Sequence, residues 1–109
     1  MHNRHIVMLT TCPDMDCAET VAAHLIDNQL ASCVNIVPGV RSIYRWQGET
    51  HQDNELLLLI KTRTELSAAV QAAIVEVHPY QQPEAIALPI QSGLAGYLAW
   101  IDDNTATPQ

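Results

Sequence analysis

Two stretches of this 109-residue chain carry apolar residues at helical spacing, and each is bracketed by short apolar runs of strand character. In the first stretch Met15, Ala18, Val21, Ala22, Leu25 and Ile26 form one stripe; in the second, Leu66, Ala69, Val70, Ala73, Ile74 and Val77 do. The run Ile6 to Thr11 precedes the first helix and closes on Cys12-Pro13-Asp14, a strand followed by a breaker, with Asp14 placed as the helix cap. Between the helices lie two strands. One runs from Ser32 to Val37 and resumes with Val40, Ser42, Tyr44 and Trp46 on one face; the other returns to Lys61 after the turn Gln47-Gly48-Glu49. Pro38-Gly39 interrupts the outgoing strand, which inside a sheet implies a bend, a bulge or an edge. Thr62 to Glu65 has the spacing of a capping box for the second helix, and Pro79 stops that helix by pushing His78 out of helical geometry. Glu84 to Ile90 reads as a fourth strand ending near an edge at Pro89. Ser92 is placed to cap a last short helix with Leu94, Tyr97, Leu98 and Ile101 on one face.

The order is therefore β-α-β-β-α-β-α. This predicts an α+β fold, a ferredoxin-like βαββαβ sandwich with an extra C-terminal helix and a long hairpin between the second and third strands. A single domain spans 1–109, with its core at about 5–103 and a polar, proline-containing flexible tail at 104–109.

Charged residues make up only 16% of the chain, against about 25% in typical soluble domains, so part of the surface is expected to be covered by another subunit. Two further features point the same way. Leu56 to Ile60 is a run of five apolar residues, which needs both sheet faces covered. The hairpin strands also look longer than the usual 5–6 residues, roughly, and a hairpin that outgrows its sheet must pair with a neighbour or stand in water.

The net charge of −7 argues against general binding to nucleic acid or anionic membranes. An RNA-reading version of the fold would need a basic surface and aromatics on its central strands, and neither is present. No apolar run approaches the ~18 residues of a membrane span, and none precedes a signal cleavage site. The odd set Cys12, Cys17 and Cys33 cannot form a closed disulfide framework, so reduced thiols and a cytoplasmic location are expected.

The densest polar segment is His78-Pro79-Tyr80-Gln81-Gln82-Pro83-Glu84. Two prolines make it rigid enough to hold an imidazole, a phenol and a carboxylate as a site, although from spacing alone a stiff connector is the better reading. Cys12 lies where a strand yields to a helix, a place that stabilises a thiolate; from spacing alone, simple packing is again the stronger reading. Cys17 and Cys33 read as packing residues. The histidines, at 2, 5, 24, 51 and 78, are scattered without a metal-binding pair on one helical face, and His2 and His5 read as surface residues with weak metal affinity at most. Trp100 lies off the stripe of the last helix, as an interface anchor or an edge-of-core residue. No nucleophile elbow, phosphate loop or dinucleotide fingerprint is present, so no enzymatic function is expected.

Three blocks together resemble the CutA family of divalent-cation tolerance proteins, over about Ile6 to Ile101. They are Leu30 to Val40 continuing into Ser42-Ile43-Tyr44-Arg45-Trp46-Gln47-Gly48; Glu55 to Thr62; and His78-Pro79-Tyr80 with Pro83-Glu84, Pro89-Ile90, Gly93 and Tyr97 to Ile101. The resemblance implies a tight homotrimer in which the long hairpin reaches neighbouring subunits. It also implies a role in tolerance of copper or other divalent metal ions, with the ions bound at inter-subunit clefts. Carried over by position, it suggests His78 and Glu84 as metal ligands, with Cys12 as a further candidate. Thr10 stands where some members have a ligating cysteine, Val77 where some have another histidine, and Gln81 where many have glutamate. Tyr44, Trp46, Tyr80, Gln81 and Trp100 are the cleft or interface residues this implies. The family's similarity in fold to the PII signalling proteins supplies an alternative: a signalling or scaffolding trimer that takes a small effector or an unknown partner protein.

Overall fold

The computed structural model describes residues 4–106. Its elements are β1 (His5–Cys12), α1 (Met15–Asp27), β2 (Cys33–Trp46), β3 (Glu49–Arg63), a single 3-10 turn (Thr64–Leu66), α2 (Ser67–Val77), β4 (Ile86–Pro89) and α3 (Ala95–Asp103). The four strands form one antiparallel sheet in the order β2-β3-β1-β4. This is the expected ferredoxin-like arrangement of an α+β sandwich with a third helix.

Strand alternation sorts the sheet into two faces. Met8, Thr10 and Cys12 on β1 lie opposite Ile60, Leu58 and Leu56 on β3. These pairs face α1 and α2, which contribute Val21, Leu25, Val70 and Ile74, all fully buried. Full burial of one such side chain stabilises the fold by about 1.5–3 kcal/mol, so this layer is the main core. The alternate residues face the other way. There α3 covers only one end: His5 Nε2 lies 2.9 Å from Asp102 Oδ1, and Arg63 Nε donates to Thr105 Oγ1 at 2.8 Å. The rest of that face leaves Val37, Tyr44, Trp46, Ile86 and Leu88 exposed.

The hairpin is long because its register continues past the edge of β1. β2 and β3 span 14 and 15 residues, and Tyr44 still pairs with His51 where β1 has already ended. The resulting long axis is 43 Å, and the radius of gyration of 14.4 Å exceeds the ~13 Å of a compact domain this size. The two-residue turn Gln47–Gly48 has φ of 51° and 82°, the handedness that matches strand twist. The Pro38–Gly39 interruption is a bulge: Val37 pairs with Leu57 and Val40 with Glu55, so the extra residue is absorbed and both valines stay on the same face. Gly39 sits at φ +84°, and an added Cβ there would meet nothing within 4 Å. Gly39→Ala therefore costs only backbone strain. We expect it to lower the unfolding free energy by about 1 kcal/mol, read by urea denaturation; no change would mean that the bulge relaxes.

Several local expectations are corrected. Thr62 does not cap α2: it ends inside β3 and its hydroxyl donates to Leu30 O at 2.6 Å, while α2 starts after the 3-10 turn without a side-chain cap. Ser92 does not cap α3, whose N-cap is Leu94. The fourth strand is shorter than expected, because Glu84 and Ala85 belong to the preceding loop. His5 is buried against Asp102 and is not a surface residue; His2 lies outside the described residues. Residues 104–106 are not loose either. Thr105 is buried, and Ala106 N donates to Gln29 O at 2.7 Å. Positions 107–109 lie outside the described residues.

Candidate metal centre and the adjoining cleft

The end of β1, the start of α1 and the loop after α2 meet at one corner of the sandwich. Pro13 ends the strand, and the Asp14 carboxylate accepts a hydrogen bond from Cys17 N at 2.8 Å, closing the first turn of α1. That turn brings Cys17 back beside Cys12. On the other side, Pro79 leaves His78 extended at the end of α2, with φ −84° and ψ 137°, and its ring is buried against β1.

The His78 ring is held at both nitrogens. Nε2 lies 2.7 Å from Thr11 O, and Nδ1 lies 3.1 Å from Tyr80 N. A carbonyl only accepts and an amide only donates, so the ring carries its proton on Nε2 and its lone pair on Nδ1. Fixing one ring nitrogen on a backbone carbonyl is also how metal-binding histidines are oriented.

The two sulfur atoms of Cys12 and Cys17 and a ring nitrogen of His78 lie within 4.8 Å of one another. Among the described residues, no other group of three such donors converges in this way. Cys12 is fully buried, and burial is the main cause that drives its thiol far above the ordinary range; neighbouring Cys17, Asp14 and Glu55 add to it. Cys12 is thus the buried packing residue that spacing favoured, lying outside the helix cap at Asp14. Cys17 is also raised by burial, partly offset by its hydrogen bond with Cys12. Thr10 shares Cys12's face of β1, and its buried hydroxyl has no hydrogen-bond partner.

Tyr80 links this corner to a cleft. Its ring leans on His78 at 4.7 Å, and its hydroxyl donates to Glu55 Oε2 at 2.7 Å. Glu55 is only 6% exposed, so this bond satisfies a buried carboxylate. Burial, then Glu55, pushes the Tyr80 phenol well above the usual range. The cleft, about 530 Å³, opens between the hairpin and the 78–84 loop and is walled by Tyr44, Trp46, Glu55, Tyr80, Gln81 and Glu84. Glu84 stands at its rim, with its carboxyl raised by partial desolvation and then by Glu55.

The structure therefore brings Cys12 to His78 and adds Cys17, while Glu84 faces the cleft beside Tyr44, Trp46, Tyr80 and Gln81. Trp100 lies apart on α3, 42% exposed and stacked on Tyr97 at 5.6 Å. Cys17 and Glu55 were missed as site residues. The Asp14 cap was the available signal for Cys17, since it folds the third helical residue back toward the strand. Nothing local marked Glu55, whose partner Tyr80 lies on the loop after α2.

A family model described as CutA1 divalent ion tolerance protein matches residues 6–104. The chain belongs to the CutA family. It is 50% identical over 99 residues to the divalent-cation tolerance protein CutA of Thermus thermophilus, covering 91% of this chain and 96% of that protein. A CutA homolog of Xenopus laevis is 43% identical over 93 residues, which are 85% of this chain but only 62% of that longer protein. The crystal structure of CutA1 from Oryza sativa superposes with a TM-score of 0.94 at 40% identity, covering 97% of each chain. The CutA family thus accounts for the sheet, the hairpin and the third helix together. No helix among the described residues is long and apolar enough to cross a membrane.

Proposed function

We propose that this CutA-family chain is a non-enzymatic homotrimer of the cytoplasm that confers divalent-cation tolerance by binding copper or zinc. The observation that carries the reading is the convergence of Cys12, Cys17 and His78 within 4.8 Å. Thiolates and an imidazole are the donors that copper(I) and zinc prefer. With bond lengths of about 2.0–2.3 Å, donors on one tetrahedral ion sit roughly 3.3–3.8 Å apart, so small side-chain rotations close the site. His78 would offer Nδ1 in place of its bond from Tyr80 N, keeping Nε2 on Thr11 O. Both cysteines would bind as thiolates, which needs the reducing conditions of the cytoplasm. The trimer is supported by the half-covered sheet face and by the exposed Tyr44 and Trp46 on a hairpin that extends beyond β1. Subunits meeting along that hairpin would place the cleft, with the metal corner behind it, at their boundary.

The test is titration of the metal-free protein with zinc and copper(I), after light scattering has counted the chains per particle. Saturable binding of one ion per chain is expected, with proton release, so that affinity rises with pH as the thiols are deprotonated. Cys17→Ser should weaken binding about tenfold or more, because it removes a soft donor from the half-exposed edge of the site. Binding unchanged by that substitution would overturn the assignment.

A further inference from the structure

We propose that Cys12 and Cys17 form a reversible disulfide that closes the metal corner under oxidising conditions. The Asp14 cap holds the two thiols together. Cys17 N donates to Asp14 Oδ1 at 2.8 Å and Ala18 N to Asp14 O at 3.1 Å, so the first turn of α1 is folded back on the end of β1. The two sulfur atoms lie within 4.8 Å of each other, and side-chain rotation has to bring them to about 2.05 Å. Their exposure differs as an exchange reaction needs. Cys17 is half-buried and can meet a reagent, while Cys12 is fully buried beside it. Both side chains belong to the helix-covered side of the sheet, away from the half-covered face through which subunits would meet. Cys33 takes no part. It stands opposite Lys61 on β3, whereas Cys12 stands opposite Leu56, a separation of about 17 Å along the strand.

The chemistry is exchange with a small-molecule disulfide of the glutathione type. The Cys17 thiolate attacks one sulfur of that oxidant, whose S–S bond breaks and releases one thiolate. The Cys12 sulfur then attacks Cys17, breaking the mixed bond and releasing the second thiolate. The two protons lost by the cysteines end on the two released thiols, and the two electrons lost by the protein reduce the oxidant. The new bond closes only the six residues 12–17, and so short a loop constrains the unfolded chain little. Such a bond is readily reduced again, which suits a regulatory disulfide and not a structural one. The consequence for the metal rests on the reading of Cys12, Cys17 and His78 as its ligands. Oxidation removes two of those three donors, so the ion leaves; a bound ion holds both sulfurs and blocks the exchange.

Incubation of the full, metal-free chain with oxidised glutathione, followed by mass spectrometry, tests the proposal. Peptide mapping should show Cys12 joined to Cys17, with the linked pair lighter by two hydrogens, and dithiothreitol should restore both thiols. Cys12→Ala should stop at a glutathione adduct on Cys17, and Cys17→Ser should leave Cys12 without any link. The second variant, at a half-buried position, keeps the test open if loss of the buried Cys12 side chain prevents folding. Zinc titration of the oxidised chain should show affinity at least about tenfold below that of the reduced chain, and zinc loaded beforehand should slow formation of the link by a similar factor. A lasting glutathione adduct on Cys17 of the wild type, a link to Cys33 or between chains, or no link at all would overturn the disulfide. A link that leaves zinc affinity unchanged would overturn its role as a switch. A Cys12–Cys17 link in a chain whose reduced form binds no zinc would support the disulfide and overturn the metal reading instead.

Discussion

Replacing His78 by alanine should lower the unfolding free energy by about 4 kcal/mol, the largest effect expected from a single substitution in the site. The ring is buried and satisfies two backbone groups at once, Thr11 O and Tyr80 N. An alanine leaves both without a partner, at about 1–3 kcal/mol each, and also removes the surface on which Tyr80 leans. His78→Gln should recover part of the loss, because a side-chain amide can still donate to Thr11 O. Urea denaturation at fixed protein concentration gives the ranking, with wild type most stable, glutamine intermediate and alanine least. A loss below about 1 kcal/mol for the alanine variant would mean that the loop is held by its prolines and not by the ring. Loss of metal binding in His78→Ala alone is therefore poor proof of ligation, since the variant also releases the loop. Cys17→Ser is the cleaner probe.

Tyr80→Phe should cost about 2–3 kcal/mol near neutral pH, because it strips a buried carboxylate of the phenol that donates to it. The pH dependence gives a second, sharper signature. In the folded state the Tyr80 phenol is raised above its ordinary value of 10.0. Above that value the unfolded chain gives up this proton while the folded chain keeps it, so stability falls as pH rises. The contribution is fully present below about 10 and is lost as pH climbs through the folded value. The stability gap between wild type and Tyr80→Phe should therefore be widest at neutral pH and should shrink in alkali. A gap that is constant with pH would show that Tyr80 acts through packing and not through its bond to Glu55.

The two substitutions act on one connected path. Thr11 O holds His78, His78 positions the Tyr80 amide and ring, and the Tyr80 hydroxyl reaches Glu55 on β3. The start of the 78–84 loop is thus anchored to β1 through His78 and to β3 through Tyr80. The metal corner and the cleft share this loop as a common wall.

The chain's architecture was legible because it is written in short-range patterns. Helical spacing in 15–26 and 66–77 named the two core-facing helices, and Pro79 ended the second where the structure ends it, at Val77 with His78 extended. Asp14 was recognisable as a cap, Gln47–Gly48 as part of the turn, and Pro38–Gly39 as a bend, a bulge or an edge, which proves to be a bulge on an edge strand. These features depend on dihedral preferences and on periodicity over one or two turns, which the sequence states directly. The resemblance, for its part, singled out His78. Where local rules competed with tertiary contacts, the contacts won. Thr62 has capping-box spacing, but the sheet register carries β3 past it and its hydroxyl bonds Leu30 O. His5 looks like part of a polar terminus until α3 returns Asp102 to it. The site was decided at the same long range. Cys17 joins Cys12 through one capped turn, but only the packing of α2's end against β1 brings His78 to them. Tyr44 and Trp46 share Glu55's face only because the bulge shifts β2 by one residue against β3. Local pattern fixes which face a side chain takes, while strand register and helix packing, set by burial of the whole core, decide which distant side chains meet.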